Sequence, residues 1–356
     1  APTSKISSYG SIIGLLLASS LAFANASSSA QLSALFPRTG GTYLYAKEIL
    51  GRPYDVVAGV VFVIGKTISC VAIALTVGNY LSPVYGKELG VVLCFLIFLI
   101  SFSGIHKTAE IARWFVLILF GLLTFYSISI ISTSDVNYAI PVFKDISLGN
   151  ILLSASIWFF AFTGYSRLAT FGEEIKNPKE IIPKAIFTGL GITVLLYLII
   201  SWLTLSIVSP EIIMNSSTPL IVAMDVSKFS EFTFLVIFAS SIAMISVFLA
   251  LMPGISRIYV ALSRDKILPQ AFSIIHKKFN SAYLSETFVF ISVIIGIYSL
   301  DVVGSIKLSS FFILIYYTIT NLCVVKLDKN RRLYSVGIAY YGFVLCLVLA
   351  TTLITL

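Results

Sequence analysis

The residues with the most to offer chemically are Phe162-Thr163-Gly164-Tyr165-Ser166, a glycine among hydroxyl and aromatic side chains set inside an apolar run from Ile151 to Gly172. A helix in hydrocarbon has to satisfy each backbone N–H and C=O internally, so such residues at mid-depth predict an unwound backbone facing protein or a water-filled cavity. Half-helix N-termini present free N–H groups and a positive dipole end to a carboxylate, while half-helix C-termini and unwound carbonyls attract an ammonium group or a cation. A zwitterion such as a free amino acid suits both. That chemistry is reversible binding.

Lys66 is the second conspicuous residue, near the middle of the apolar run Val56 to Leu81. A cation at bilayer mid-depth costs about 2.5 to 3.5 kcal/mol on insertion scales, so it is expected to face a cavity or a partner. All 16 Asp and Glu fall in connections or near segment ends, which leaves carbonyls, water, substrate or deprotonation to relieve the charge. The run Leu308 to Leu327 carries Ser309, Ser310, Tyr316, Tyr317, Thr318, Thr320 and Asn321, so one side of it is expected to border a cavity or to bond neighbouring helices. Tyr316 and Tyr317 are its candidate pocket-lining residues.

Bond-making chemistry is poorly supplied. His106 and His276 fall in connections, and Cys70, Cys94, Cys323 and Cys346 stand singly without CxxC spacing and read as small buried hydrophobes. No metal-ligand cluster, nucleotide-binding glycine loop or hydrolase elbow occurs in the sequence. Glu173-Glu174 beside Lys176 reads as a solvated salt-bridge cluster at a sharp Asn177-Pro178 corner, not an acid–base pair. Neither enzymatic activity nor an organic cofactor or metal is expected.

The elements that position these residues are membrane helices. Hydrophobic residues are 58% of the 356, charged ones 11%, and mean hydropathy is +0.99, far from a soluble balance. Ten apolar runs have helical lengths: 10–35, 56–81, 89–105, 112–133, 151–172, 185–208, 232–253, 283–300, 308–327 and 335–356. Transmembrane strands would instead alternate over about 10 residues. The expected fold class is all-α and polytopic. Of the 24 Lys and Arg, 17 fall in one alternate set of connections, Arg257 among them, and 5 in the other, which puts the first set in the cytoplasm. The charge of +8 is thus topological, and nucleic acid is not an expected partner.

The first run places Gly10, Gly14, Ala18, Ala22, Ala26, Ala30 and Ala34 at every fourth position, a small-residue ridge that predicts close burial among other helices. After it, Pro37 ends the helix and Gly40-Gly41 reverse the chain into a short amphipathic stretch ending near Arg52.

These motifs carry a resemblance. FPRTGGTYLYAKEILG, followed by FFAFTGYSRLATFGEEIKNPKEIIPKAI and SRIYVALSRDKILP, resembles the amino acid–polyamine–organocation permease superfamily, in the family's order and from Tyr9 to about Arg332. The resemblance implies a LeuT-like fold, in which two inverted five-helix repeats surround a site that opens alternately to either side. It makes the chain one permease domain over 1–356, with 10–133 as the remainder of the first repeat, 151–327 as the second, and 335–356 as an additional helix. The broken run then matches the discontinuous sixth helix. Its mate, the discontinuous first helix, is expected upstream of Ala1, since Ala1 to Tyr9 are too short to hold it; processing behind a cleaved signal is the alternative origin of this start.

By the same resemblance, backbone atoms near Phe160, Ala161 and Thr163 would take the substrate amine, Phe160 would cover the site as an aromatic gate, Phe162 would belong to it, and Gly164 would allow the turn. The plainer alternative is that these aromatics are packed or lipid-facing. The family's third helix lines the side-chain pocket, so Lys66 is expected to select substrate, to couple a proton, or to bond carbonyls structurally. Ser240, Ser241 and Ser246 are candidate sodium ligands, or else bond neighbouring carbonyls. A lysine that some members carry on the fifth helix is replaced here by Leu119. Arg167 is expected to reach the cytoplasmic side, Glu173 or Glu174; the connection 209–231 is a lid or a passive link; and Asn215-Ser216-Ser217 is a sequon on the outer face.

The expected function is secondary transport of amino acids by alternating access in the cytoplasmic membrane, with H+ or Na+ as the coupling ion and the lipid bilayer as surroundings. A non-transporting amino-acid receptor or scaffold, or a polyamine or amine exchanger, is the alternative.

Overall fold

A computed structural model describes residues 10–38, 40–82, 84–102, 105–133, 147–164, 175–208, 212–213, 218–276 and 281–356, with backbone alone at 102, 105–109, 111 and 112. The long helices are α1 (Gly10–Leu35), α3 (Tyr54–Leu81), α4 (Gly86–Phe102), α5 (Ile105–Ile131), α6 (Leu148–Phe162), α7 (Pro178–Ile207), α9 (Thr233–Arg264), α10 (Tyr283–Ser299), α11 (Val302–Lys326) and α12 (Val336–Thr355). Two short helices, α2 (Thr42–Ile49) and α8 (Pro219–Asp225), lie in connections. Among the described residues no strand forms, and seven helices are long and apolar enough to cross a membrane, α1 being the least hydropathic of them.

The exterior is apolar where that of a protein in water would be polar, and the apolar interior also holds polar groups. Large apolar side chains such as Trp114, Leu117, Leu195, Trp202 and Ile295 are exposed, while Asn25, Gln31, Lys66 and Asn321 are buried. A chain that turns its apolar surface outward and its polar groups inward is shaped for lipid. α1 packs against α6, α7, α12 and α11; α3 packs against α11, α4, α9, α10 and α2, and α5 rests on α9. The small-residue ridge of α1 explains its central place. Gly10, Gly14, Ala18, Ala22, Ala26 and Ala30 are buried, and a Cβ at Gly14 would lie 2.7 Å from Ser154 Cβ and 3.0 Å from the Ala155 nitrogen. Only glycine lets α1 and α6 approach so closely.

Polar groups tie the interior together. Asn321 on α11 donates its amide to Asn25 Oδ1 (2.7 Å) and accepts from Ser28 Oγ (2.7 Å), both on α1, and Cys346 Sγ lies 3.6 Å from the same Asn25 oxygen. All four cysteines are buried and free.

The turn before α2 forms as the residues require, with Gly40 at φ 136° and Gly41 at φ 54°. It docks α2 onto α11, where the Thr42 N–H donates to Tyr316 Oη (3.1 Å) and Thr42 Oγ1 shares a 2.7 Å hydrogen bond with Thr320 Oγ1. It also brings two connections assigned to the cytoplasm together. Lys47 Nζ lies 2.7 Å from Asp265 Oδ1, and the Tyr43 hydroxyl donates to the other oxygen. Burial and then the hydrogen-bonded Asp265 carboxylate push the Tyr43 phenol well up. Asp265 itself is drawn upward by burial, but the Lys47 and Tyr43 hydrogen bonds outweigh this and hold it below the usual carboxylate range. On the face assigned outside, the Lys228 N–H reaches Thr133 Oγ1 (3.3 Å).

Several boundaries differ from expectation: α5, α7 and α11 start six or seven residues early, which puts His106, expected in a connection, on α5. α9 runs through Pro253 to Arg264, so Arg257, expected in a connection, sits on the helix and is buried. Proline removes a single donor, and helix packing holds the rest of the ladder. α7 begins at Pro178 behind Asn177, whose left-handed φ of 50° makes the expected corner.

Candidate functional site

α6 is capped at its start by Ser147, whose Oγ accepts from the Asn150 N–H (3.1 Å), and it stops at Phe162. Its 15 residues reach about 22 Å at 1.5 Å per residue, short of a hydrocarbon core of about 30 Å. Thr163 makes the stop: its N–H and its Oγ1 (2.9 Å) both turn back to the Phe160 carbonyl, and a 3₁₀ turn follows through Gly164. Gly164 does not take a left-handed conformation; its missing side chain leaves open space instead. Tyr165, Ser166, Arg167, Glu173 and Glu174 lie outside the described residues, as does the sequon.

Lys66 reaches this end from α3. It is 1% exposed, and its Nζ donates to the Thr163 carbonyl at 2.7 Å. Among the described residues no carboxylate pairs with it, and the acceptor it finds is a carbonyl. A hydrogen bond with a charged donor contributes about 1.5 to 3 kcal/mol. One turn further along α3, the Ser69 and Ser309 hydroxyls lie 2.6 Å apart, each within reach of the Gly65 carbonyl, so one donates to the other, which donates to that carbonyl, fixing α3 to α11 beside Lys66.

The remaining candidate carbonyl, on Ala161, accepts from the Tyr197 hydroxyl at 3.3 Å. Each of the three acceptors expected to meet a substrate amine, on Phe160, Ala161 and Thr163, therefore has a donor from the protein. Thr163 gives the Phe160 carbonyl two of these donors, its N–H and its Oγ1, which fill both lone pairs of that oxygen.

An open cleft of about 250 Å³ adjoins the helix end, lined by Ala161, Phe162 and Gly164 and by Ala185, Ile186, Gly189, Leu190 and Thr193 of α7. Phe159 is fully buried with its ring edge-on to Tyr317 (5.8 Å), Phe162 packs on Tyr197 (5.3 Å), and Phe160 is half-buried. Of the expected aromatics, Phe160 thus keeps a free face while Phe159 and Phe162 are committed to packing. Tyr316 is buried against Phe62 and bound to α2, and Tyr317 faces α6.

The structure brings Lys66, Ala161, Phe162, Thr163 and Gly164 together, and sets Ser240, Ser241 and Ser246 apart on α9. At 3.6 residues per turn those three hydroxyls point to different sides of the helix, and Ser246 Oγ donates to the Ala243 carbonyl (2.9 Å). The α7 wall and Tyr197 escaped the sequence reading. Their signal was the small-residue spacing Ala185, Gly189, Thr193, one side of a helix otherwise filled with large apolar residues. In the connection read as lid or link, α8 buries Pro219, Ala223 and Met224. Among the described residues no cluster of His, Cys, Asp and Glu could hold a metal ion.

Comparison with known proteins matches the amino acid permease family to residues 2–356. An uncharacterized transporter of Mycobacterium tuberculosis is 34% identical over 358 residues, covering 99% of this chain and 80% of its own. A serine/threonine exchanger of Bacillus subtilis is 26% identical over 374 residues (96% and 82%). A mitochondrial cationic amino acid transporter of Arabidopsis thaliana is 24% identical over 298 residues (75% and 48%).

Proposed function

The chain belongs to the amino acid permease family, and from that membership we propose a site and a mode of action. It is a multi-pass membrane transporter with the family's all-α, LeuT-like fold. Amino acids cross by secondary active transport, the site being exposed alternately to either side, with residues 10–133 and 151–327 as the two repeats and 335–356 as an added helix. Substrate seats at the end of α6, with its amine near the backbone of Phe160, Ala161 and Thr163, on the side of that turn away from the Lys66 Nζ. Phe160 covers it, Phe162, Gly164 and Lys66 border it, and Tyr316 and Tyr317 back it. Coupling runs through H+ or Na+, with Ser240, Ser241 and Ser246 as the hydroxyls to test for Na+.

One observation supports this reading: α6 stops at Phe162 beside an open cleft whose volume, about 250 Å³, suits a small amino acid. Full-length protein in proteoliposomes loaded with serine should show saturable counterflow of external labelled serine. Binding without flux would favour a receptor, and flux of putrescine alone would favour an amine exchanger. Phe160→Ala should weaken apparent affinity about tenfold while leaving the protein folded.

A further inference from the structure

Family membership leaves the substrate class open, since relatives include both a serine/threonine exchanger and a cationic amino acid transporter. The α6 end speaks to it. A helix C-terminus carries the negative end of the dipole and attracts a cation. Here an amine stands at that position: Lys66, buried and without a carboxylate partner among the described residues, donates from Nζ to the Thr163 carbonyl at 2.7 Å. Gly65 and Ser69 on either side of it are fastened to Ser309, so α3 delivers the ammonium from a fixed position. The cleft borders the same turn through Gly164 and Phe162.

We propose that Lys66 is the resident cation of this half-helix end and the residue that bars cationic side chains from the site, making the substrates neutral or acidic amino acids. A neutral amino acid brings an ammonium and a carboxylate that offset each other. Lysine, arginine or a diamine brings one further positive charge with nothing to balance it. Like charges facing each other across this turn repel at an effective dielectric of about 20, and each 1.4 kcal/mol or so of that repulsion is a tenfold preference. The substrate class rests on the transport reading above; the resident cation does not.

Two measurements separate them. In proteoliposomes, excess serine or glutamate should compete with labelled serine, whereas lysine, arginine and putrescine should compete at least tenfold less well. Lys66→Met should lose that discrimination and Lys66→Arg should keep it. In detergent, Lys66→Ala lacks three carbons and the ammonium, the outline of propylammonium. Propylammonium chloride should raise its thermal midpoint above that in equal sodium chloride, and should not do so for wild type or Lys66→Met. Wild type that exchanges arginine as readily as serine, or Lys66→Met with an unchanged lysine-to-serine ratio, overturns the barrier. Equal midpoints of Lys66→Ala in the two salts overturn the resident cation. A protein that moves no amino acid, yet whose Lys66→Ala form responds to propylammonium, overturns the transport reading and leaves the cation supported.

Discussion

Gly14→Ala tests whether the contact between α1 and α6 sets the position of the site. A Cβ there would stand 2.7 Å from Ser154 Cβ and 3.0 Å from the Ala155 nitrogen, in overlap with the Ser154 hydroxyl as well. Rotating Ser154 removes the hydroxyl clash but not the other two. Ordinary carbon contacts are about 3.5 to 4 Å, so the helices must part by roughly 1 Å. Overpacking of this size costs about 1 to 3 kcal/mol, offset by about 1 kcal/mol from the better helix propensity of alanine. The net loss is about 1 to 2 kcal/mol, read as a lower thermal midpoint in detergent. The displacement is carried by α6 toward Thr163, where it stretches the Lys66 hydrogen bond, so serine counterflow should weaken in parallel. Ser154→Gly removes both side-chain obstacles, and Ser154 Oγ has no hydrogen-bond partner to lose. In that background Gly14→Ala should cost clearly less, giving a coupling of about 1 kcal/mol in a double-mutant cycle. An unchanged midpoint for Gly14→Ala, or strict additivity of the pair, would refute the close-approach reasoning.

Asn321→Leu should lower the thermal midpoint, because it orphans the buried Asn25 carbonyl and the Ser28 hydroxyl at about 1 to 3 kcal/mol each, and Asn25→Leu in addition should recover part of the loss. Asp265→Asn should destabilise the tie between α2 and α9 in a pH-dependent way. With the folded carboxyl held below its ordinary value near 4, the tie's contribution is complete above about pH 4 and is lost as pH falls through the lower folded value. Midpoints of wild type and Asp265→Asn should therefore differ at neutral pH and converge in acid. Tyr197→Phe removes the donor on the Ala161 carbonyl, and in serine counterflow it should tighten apparent affinity about two- to fivefold, the equivalent of one weak hydrogen bond of about 0.5 to 1 kcal/mol.

The ten long helices were legible because apolar length is a one-dimensional property, and each of them overlaps its expected run. The stop at Phe162 was equally open to view, since Thr163 and Gly164 interrupt hydrophobic continuity where nothing else does. Boundaries failed where packing overrode local punctuation: α9 passes through Pro253, which in isolation reads as an end. Pairings were illegible for a different reason. That Lys66 needed a partner followed from the cost of a buried charge; that the partner is the Thr163 carbonyl, 97 positions away, depends on how α3 and α6 meet. Tyr197 was missed because a tyrosine in a membrane helix has many ordinary roles, and only the Ala161 carbonyl beside it gives it a particular one.

The crowded setting of α1 bears on how the protein is made. Its buried serines, Asn25 and Gln31 leave it the least hydropathic of the seven spans, and the helices that shelter those groups, α6, α7, α11 and α12, are all synthesised after it. On leaving the translocon it lacks those later helices, and its amides are not yet covered by them. Its integration is therefore tied to the arrival of later helices, and truncating nascent chains after α5 should leave α1 poorly inserted while α3 is already secure.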